Sequence, residues 1–281
     1  MKLTTIHSGY FKLDGGAMFG VVPKTLWTRL NPADENNLCT WSLRCLLIET
    51  GDRKILVDTG MGDKQDEKFR SHFHPHGPYT LKNSLKEHKV NPEDITDVFL
   101  THLHFDHVGG AVERNADGDL VPTFPNATYW SHEEHYGWAY TPNDRERASF
   151  LKENFVPLKD HSVLKFIDAE NGEEWLPGIR IHTAKGHTHK MMIPELDFNG
   201  RKLYYCADLL PSSGHLRMPY VMSYDVRPLE TLKEKAFLLN RALEQDAILY
   251  FEHDPSVECC TLTKDQRGRI VLDKKFSLGD F

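Results

Sequence analysis

Four side chains able to ligate a metal fall within six residues of the stretch Thr101-His102-Leu103-His104-Phe105-Asp106-His107-Val108-Gly109-Gly110. They come directly after the strand-like run Asp97-Val98-Phe99-Leu100. On an extended segment His102 and His104 point to the same side, because side chains repeat every two residues. A helix would spread the four round its circumference. Asp106 and His107 are then expected in the turn after the strand, aimed at a second position. Imidazole nitrogens and carboxylate oxygens are the donors that zinc and similar divalent ions take. The spacing suits two ions a few ångströms apart, against the plainer alternative of four polar residues on a solvated loop.

Three more candidate ligands lie further on, each at the end of an expected strand. His187 stands in Ala184-Lys185-Gly186-His187-Thr188-His189, just past Ile179–Thr183; Asp208 closes Leu203–Asp208; His253 follows Ile248–Phe251. Taken singly, a strand-end His or Asp is a cap or a surface group. Together with the cluster they give five imidazoles and two carboxylates, enough for two four- or five-coordinate ions with one carboxylate bridging. The alternating His72, His74 and His76 have no carboxylate at ligand spacing, and Pro75 and Gly77 mark an irregular loop there. His132 and His135 read most simply as surface or core histidines.

The elements that must hold these groups are legible in outline. Leu43–Glu49 and Lys54–Val57 form an expected antiparallel pair round Thr50-Gly51-Asp52, ending in Asp58-Thr59-Gly60. Thr80 caps a short helix with Leu81 and Leu85 on one face, and Ser131 is the expected cap of a second. Asn143–Asn154 reads as a charged amphipathic helix. Met191–Asp197 and Lys202–Ala207 flank Asn199-Gly200, a strong hairpin signal. Pro228 opens the clearest helix, with Leu229, Leu232, Ala236, Leu239 and Leu243 on one stripe, and Ala247–Phe251 is a buried strand. Residues 10–40 look like an extended arm whose Phe11, Phe19 and Trp27 need burying or a dimer contact. The tail, about 256–281, adds an edge strand at Arg269–Leu272. No Gly/Ser/Pro linker divides the chain, so residues 1–281 are expected to be one domain with two sheets and outer helices.

Composition narrows the partners. The 281 residues carry a net charge of −7 with pI near 6.1, which offers no electrostatic footprint for nucleic acid. No stretch approaches the roughly 18 apolar residues of a membrane helix, and Met1–Gly9 has no apolar core of signal-peptide length. The five cysteines (Cys39, Cys45, Cys206, Cys259, Cys260) fit no zinc-ribbon spacing, and reduced thiols suit a reducing compartment. A soluble cytoplasmic protein is expected.

His102-x-His104-x-Asp106-His107, followed in order by His187, Asp208 and His253, resembles the metallo-β-lactamase-fold hydrolase superfamily, and Leu56-Val57-Asp58-Thr59-Gly60 is similar to its early strand-end motif. The resemblance, over residues 43–255, implies an α+β fold: a four-layer αββα sandwich of two mixed β-sheets with outer helices. It implies one ion on His102, His104 and His187, another on Asp106, His107 and His253, and Asp208 bridging them. Asp58 would orient a ligand from behind. The ions would be zinc in the first place, with manganese, iron or cobalt as alternatives. A metal-bridging hydroxide would attack a carbonyl or phosphoryl centre, and Asp106 would hand a proton to the leaving group. Loss of Asp208 should do most damage, since two cations would face each other unshielded.

Within the superfamily, Leu103–Gly110 and Asp14–Gly20 are similar to the N-acyl homoserine lactonase and organophosphate hydrolase branch, which makes Phe105 a candidate substrate contact and implies a lactone, ester or phosphotriester substrate. Two positions depart from that pattern. Pro211 stands where those lactonases have a tyrosine, and the usual Gly-His-Thr-Pro-Gly turn reads Gly186-His187-Thr188-His189-Lys190. His189 is then a pocket group or a surface residue. The remaining alternatives are a glyoxalase-type thioester hydrolase, with the same ligands and a different pocket, and a non-hydrolytic di-iron redox or metal-binding protein.

Overall fold

The computed structural model describes residues 1–168 and 171–280. They form two compact units, Met1–Tyr10 with Leu43–Asp168 and Phe11–Ser42 with Ala169–Phe281.

The strands of the first half of the chain are β1 (Lys2–Asp14), β2 (Leu38–Thr50), β3 (Arg53–Val57), β4 (Asp97–Phe99), β5 (Val112–Arg114), β6 (Leu120–Pro122), β7 (Thr128–Ser131) and β8 (Leu164–Phe166). β5 and β6 pair as a separate hairpin, and the rest make one sheet in the order β1-β2-β3-β4-β7-β8. β2 and β3 are the expected hairpin, in register from Leu46 opposite Val57 to Thr50 opposite Arg53. β3, β4, β7 and β8 then run parallel, so each step needs a crossover. The helices Glu67–Phe73 and Leu81–Glu87 lie in the first crossover, and Glu133–Tyr140 and Val156–Asp160 in the last. Ile55-Leu56-Val57 and Val98-Phe99 are buried without alternation, as central parallel strands covered on both faces must be. Leu47, Leu56, Val98, Leu103, Val108 and Tyr129 belong to one core cluster.

Local signals mostly act where expected in this unit. Asn83 N–H donates to Thr80 Oγ1 at 3.2 Å. Two expectations change. Ser131 ends β7, and the cap of Glu133–Tyr140 is His132, whose Nδ1 accepts from Glu134 N–H at 3.2 Å. Asn143–Asn154 forms no α-helix: the Asn143 side chain accepts from the Arg145 and Glu146 N–H groups, a local turn that competes with helix, and only Lys152–Asn154 winds into a 3₁₀ turn. His72 lies in the helix Glu67–Phe73 and His74 ends it in a left-handed conformation; His76 pairs with Tyr10 through backbone hydrogen bonds.

The second unit holds β9 (Glu173–Leu176), β10 (Ile179–Ala184), β11 (Met191–Phe198), β12 (Arg201–Tyr205), β13 (Ile248–Tyr250), β14 (Cys259–Lys264) and β15 (Ile270–Phe276), paired in the order β15-β14-β13-β12-β11-β10-β9. Asn199 (φ 48°) and Gly200 (φ 76°) make the two-residue turn between β11 and β12. β12 and β13 are the parallel pair, and the helix Pro228–Glu244 is their crossover. Its buried face is Thr231, Lys235, Leu238, Leu239 and Ala242, whereas Leu229 is 73% exposed. Of the expected stripe only Leu239 is buried, because the buried face includes the small Thr231 and a lysine with acceptors at its tip. The edge strand of the tail is present as β15. The arm is no loose extension: Phe11, Phe19 and Trp27 are buried within this unit, Phe19 stacking on Trp27 and His215 with centroids 5.5 and 4.8 Å away. No described helix is long and apolar enough to cross a membrane.

Candidate functional site

The first unit gathers His102, His104, Asp106 and His107, all buried. The backbone stays extended to His104, then turns into the short helix Phe105–Val108. Asp106 and His107 therefore sit on a helical turn rather than in an open loop, and this separates the cluster into two pairs. Ligand atoms of His102 and His104 lie within 4.8 Å of each other, as do those of Asp106 and His107.

Hydrogen bonds fix how each ring presents its nitrogens. Asp58, at the end of β3 with φ 57°, accepts from Thr101 N–H at 2.8 Å and from Thr101 Oγ1 at 2.7 Å. Its Oδ2 also lies 3.1 Å from His107 Nδ1. Since Thr101 Oγ1 has given its proton to Asp58, it accepts from His102 Nδ1 at 3.1 Å. His102 Nε2 is then a bare lone pair, 3.0 Å from His104 Nδ1. His104 Nδ1 meets it as the hydrogen-bond partner, and His104 turns Nε2 towards Glu146, with Oε1 3.6 Å away. Asp58 thus orients His107 directly and His102 through Thr101. Behind them His135, 1% exposed, accepts from Leu103 N–H at 2.9 Å.

Gly109 and Gly110 have a steric reason. A Cβ on Gly109 would stand 2.0 Å from Met61 O, and one on Gly110 2.3 Å from Thr59 O. The cluster loop lies directly on the Asp58–Gly62 turn, joined by Thr59 N–H to His107 O at 2.8 Å. Phe105 packs against Phe69 and Phe73, with ring centroids 5.2 and 4.5 Å away.

The second unit gathers His187, Asp208 and His253 from the ends of three strands. His187 Nε2 is 3.1 Å from Asp208 Oδ2, and His253 Nε2 is 3.1 Å from Asp208 Oδ1. Each imidazole is tied on its other nitrogen: His187 Nδ1 to Asp225 Oδ1 at 3.0 Å, and His253 Nδ1 to the Ser42 carbonyl at 2.8 Å. With Nδ1 donating, both Nε2 atoms offer lone pairs to a carboxylate that also offers lone pairs. Ala207, just before Asp208, has φ 43°, a conformation costing an L-residue about 1–2 kcal/mol. Pro211, at the lactonase tyrosine position, gives its carbonyl to His253 N–H at 3.1 Å. His215 pins the same loop through Ser212 Oγ at 2.7 Å and Met18 O at 2.8 Å; burial pushes its imidazole down to about 4, so it is neutral. His189 is half-buried and lines a cavity of about 420 Å³ with His182, Lys185 and Phe237.

The sequence reading singled out the seven candidate ligands from their spacing and strand-end positions, and Asp58 from the family resemblance. It missed the roles of Thr101, Glu146, Asp225 and the Ser42 carbonyl, while His135 is the core histidine that was one of its two readings. Thr101 had a signal in its position directly before the cluster; the others depend on distant chain segments. The donor set, buried imidazole nitrogen and carboxylate oxygen with the opposite ring nitrogens of His102, His107, His187 and His253 held by hydrogen bonds, fits divalent metal ions.

Mixed sheets with helices in their crossovers, and buried imidazoles and carboxylates at the strand ends, are the features of a metal-dependent hydrolase of the α+β class. The chain belongs to the metallo-β-lactamase superfamily, whose sequence profile matches residues 43–253. An N-acyl homoserine lactonase of Bacillus cereus is 26% identical over 264 residues, 89% of this chain and 94% of that protein. The crystal structure of a probable metal-dependent hydrolase from Staphylococcus aureus is 26% identical, with a TM-score of 0.86 over 98% of both chains. AidC, a dizinc quorum-quenching lactonase, shares the fold at 21% identity, with a TM-score of 0.79 over 98% of this chain and 95% of its own.

Proposed function

We propose that the seven residues serve two divalent ions, zinc in the first place: His102, His104 and His187 on one, Asp106, His107 and His253 on the other, with Asp208 shared. The observation that carries this reading is Asp208 itself, whose two oxygens each face a different imidazole Nε2 at 3.1 Å. A carboxylate presented in that way suits a bridge between ions. Bound there, the ions would supply Lewis acidity and a water acidic enough to be a nucleophile near neutral pH. Asp106, 8% exposed, is the group placed to carry a proton to the leaving group. Asp58, Thr101, Asp225 and the Ser42 carbonyl keep the ligand nitrogens unprotonated on the metal side.

The substrate in this reading is a small-molecule lactone, ester or phosphotriester, with Phe105 touching its apolar part. The lactonase-like motif and the lactonase relatives support the lactone. Pro211 offers a carbonyl already used by His253 and no hydroxyl, which favours a substrate other than the one those relatives' tyrosine serves. We place the protein in the cytoplasm, since its five cysteines are buried thiols.

The test is metal analysis of protein purified without added metal, then turnover of acyl-homoserine lactones, aryl esters, phosphotriesters and S-lactoylglutathione with and without chelator. Near two zinc per chain and chelator-sensitive turnover of a lactone or ester is the expected result. Turnover of the thioester alone would move the reading to a glyoxalase-type enzyme. Iron with a visible charge-transfer band and no hydrolysis would overturn it.

A further inference from the structure

The loop carrying His187 and the loop carrying its partner Asp225 hang from one turn of the helix Pro228–Glu244. Glu234 accepts from two successive backbone N–H groups just before the ligand: Oε1 from Lys185 at 2.8 Å and Oε2 from Gly186 at 3.0 Å. The helix start holds the same loop by its carbonyls. Arg227 N–H donates to Gly186 O at 2.8 Å, Val226 N–H to His187 O at 3.2 Å, and the Arg227 guanidinium to Lys185 O at 2.7 Å. Gly186 lies so close that a Cβ there would stand 2.4 Å from Thr231 N. The next residue along, Lys235, is fully buried and turns to the other loop. Its Nζ donates to the carbonyls of Arg217 at 2.6 Å and Tyr220 at 2.9 Å, with Met218 O at 3.4 Å. That segment runs on to Asp225, which holds His187 Nδ1.

Burying an ammonium and half-burying a carboxylate is expensive, and an apolar side chain of similar volume commonly serves stability as well or better. Here each charge meets backbone groups of opposite polarity from a different loop, and the two loops supply the imidazole and the carboxylate that orients it. We propose that Glu234 and Lys235 are positioning residues, a two-sided clamp that sets His187 against Asp225 in the geometry a metal ion needs. This rests on the metal reading above and extends it to two residues on the neighbouring helix.

The test is zinc affinity of the full chain by competition with a fluorescent chelator, together with the d–d spectrum of the cobalt-loaded protein. Glu234→Gln puts an NH2 group against a backbone N–H, and Lys235→Met keeps volume while removing the donors. Each is expected to weaken zinc binding by about 10-fold or more, the range seen when a group behind a metal ligand is lost, and to alter the cobalt spectrum. Glu244→Gln, exposed at the far end of the same helix, should leave both unchanged. Affinity within twofold of the parent and an unchanged spectrum in Glu234→Gln would overturn the clamp, and that variant decides alone if Lys235→Met does not fold. A parent chain that binds no zinc or cobalt would overturn the metal reading instead.

Discussion

The two groups of candidate ligands are built on opposite plans. The first unit takes four ligands from one continuous stretch and orients two of its histidines through a single carboxylate, Asp58, helped by Thr101. The second takes three ligands from three strand ends and gives each histidine its own anchor, Asp225 for His187 and the Ser42 carbonyl for His253. The first plan is economical and fragile, since one side chain serves two rings. The second spreads the risk but needs the whole sheet, because β10, β12 and β13 must all end in register before the ligands meet. What they share is the carboxylate at the end of a strand beside left-handed backbone, Asp58 at φ 57° and Asp208 after Ala207 at φ 43°. In both, strain is held where a side chain must be aimed.

The largest expected effect belongs to Asp208. Asp208→Ala removes the one group that faces both histidines of the second unit, and activity should fall on the order of 10³-fold, the several kcal/mol a bound ion contributes. Metal analysis of the variant should show fewer ions per chain. Wild-type stoichiometry with near-normal turnover would mean that the carboxylate is not a ligand.

The contrast between the two plans is sharpened by comparing Asp58→Asn with Asp225→Asn. The first disturbs His107 and, through Thr101, His102, so a loss of zinc affinity of about 100-fold is expected. The second disturbs His187 alone, with a loss of about 10-fold. Chelator competition on both proteins measures it, and equal losses would show that Asp58 does not serve two ligands.

The smallest effect concerns stability away from the ligands. Glu195, 1% exposed, accepts from Tyr204 at 2.9 Å and lies 2.7 Å from His182 Nε2 and 3.2 Å from an Arg241 nitrogen. Burial pushes its carboxyl up, but the hydrogen bonds from His182 and Tyr204 and the Arg241 charge outweigh that and hold it well below the usual 4.5. A folded pKa below the unfolded one means that the contribution is fully present above about 4.5 and drains away as pH falls further, because the unfolded chain takes up the proton first. Glu195→Gln should cost about 3 kcal/mol at pH 7, and the gap from the parent should narrow below pH 4.5. Urea unfolding of both proteins in chelator, at pH 7 and pH 3.5, reads this; a gap independent of pH would assign the loss to packing.

How much of this the sequence displayed follows from how local each interaction is. The cluster was legible because its spacing carries its own geometry. The turn at Asn199-Gly200 and the cap at Thr80 were legible because they need only their neighbours in the chain. The Asn143–Asn154 segment misled because its charged pattern is helical while Asn143, by bonding its own backbone, starts a turn instead. The helix Pro228–Glu244 starts at the expected proline, yet its inward face differs from the expected stripe: periodicity ranks a leucine above a lysine, and the backbone carbonyls of the Arg217–Tyr220 segment make Lys235 an inward residue.

By itself, then, the sequence determined the kinds of donor atoms, their order along the chain and the strands that end in them, since these follow from residue type and short-range pattern. The tertiary structure decided which nitrogen of each histidine is held, which group stands behind it, and which charges are buried. Those choices depend on partners from distant segments, Ser42 for His253, Asp225 for His187 and Glu146 for His104, and a buried polar group takes whatever partner the fold brings within reach.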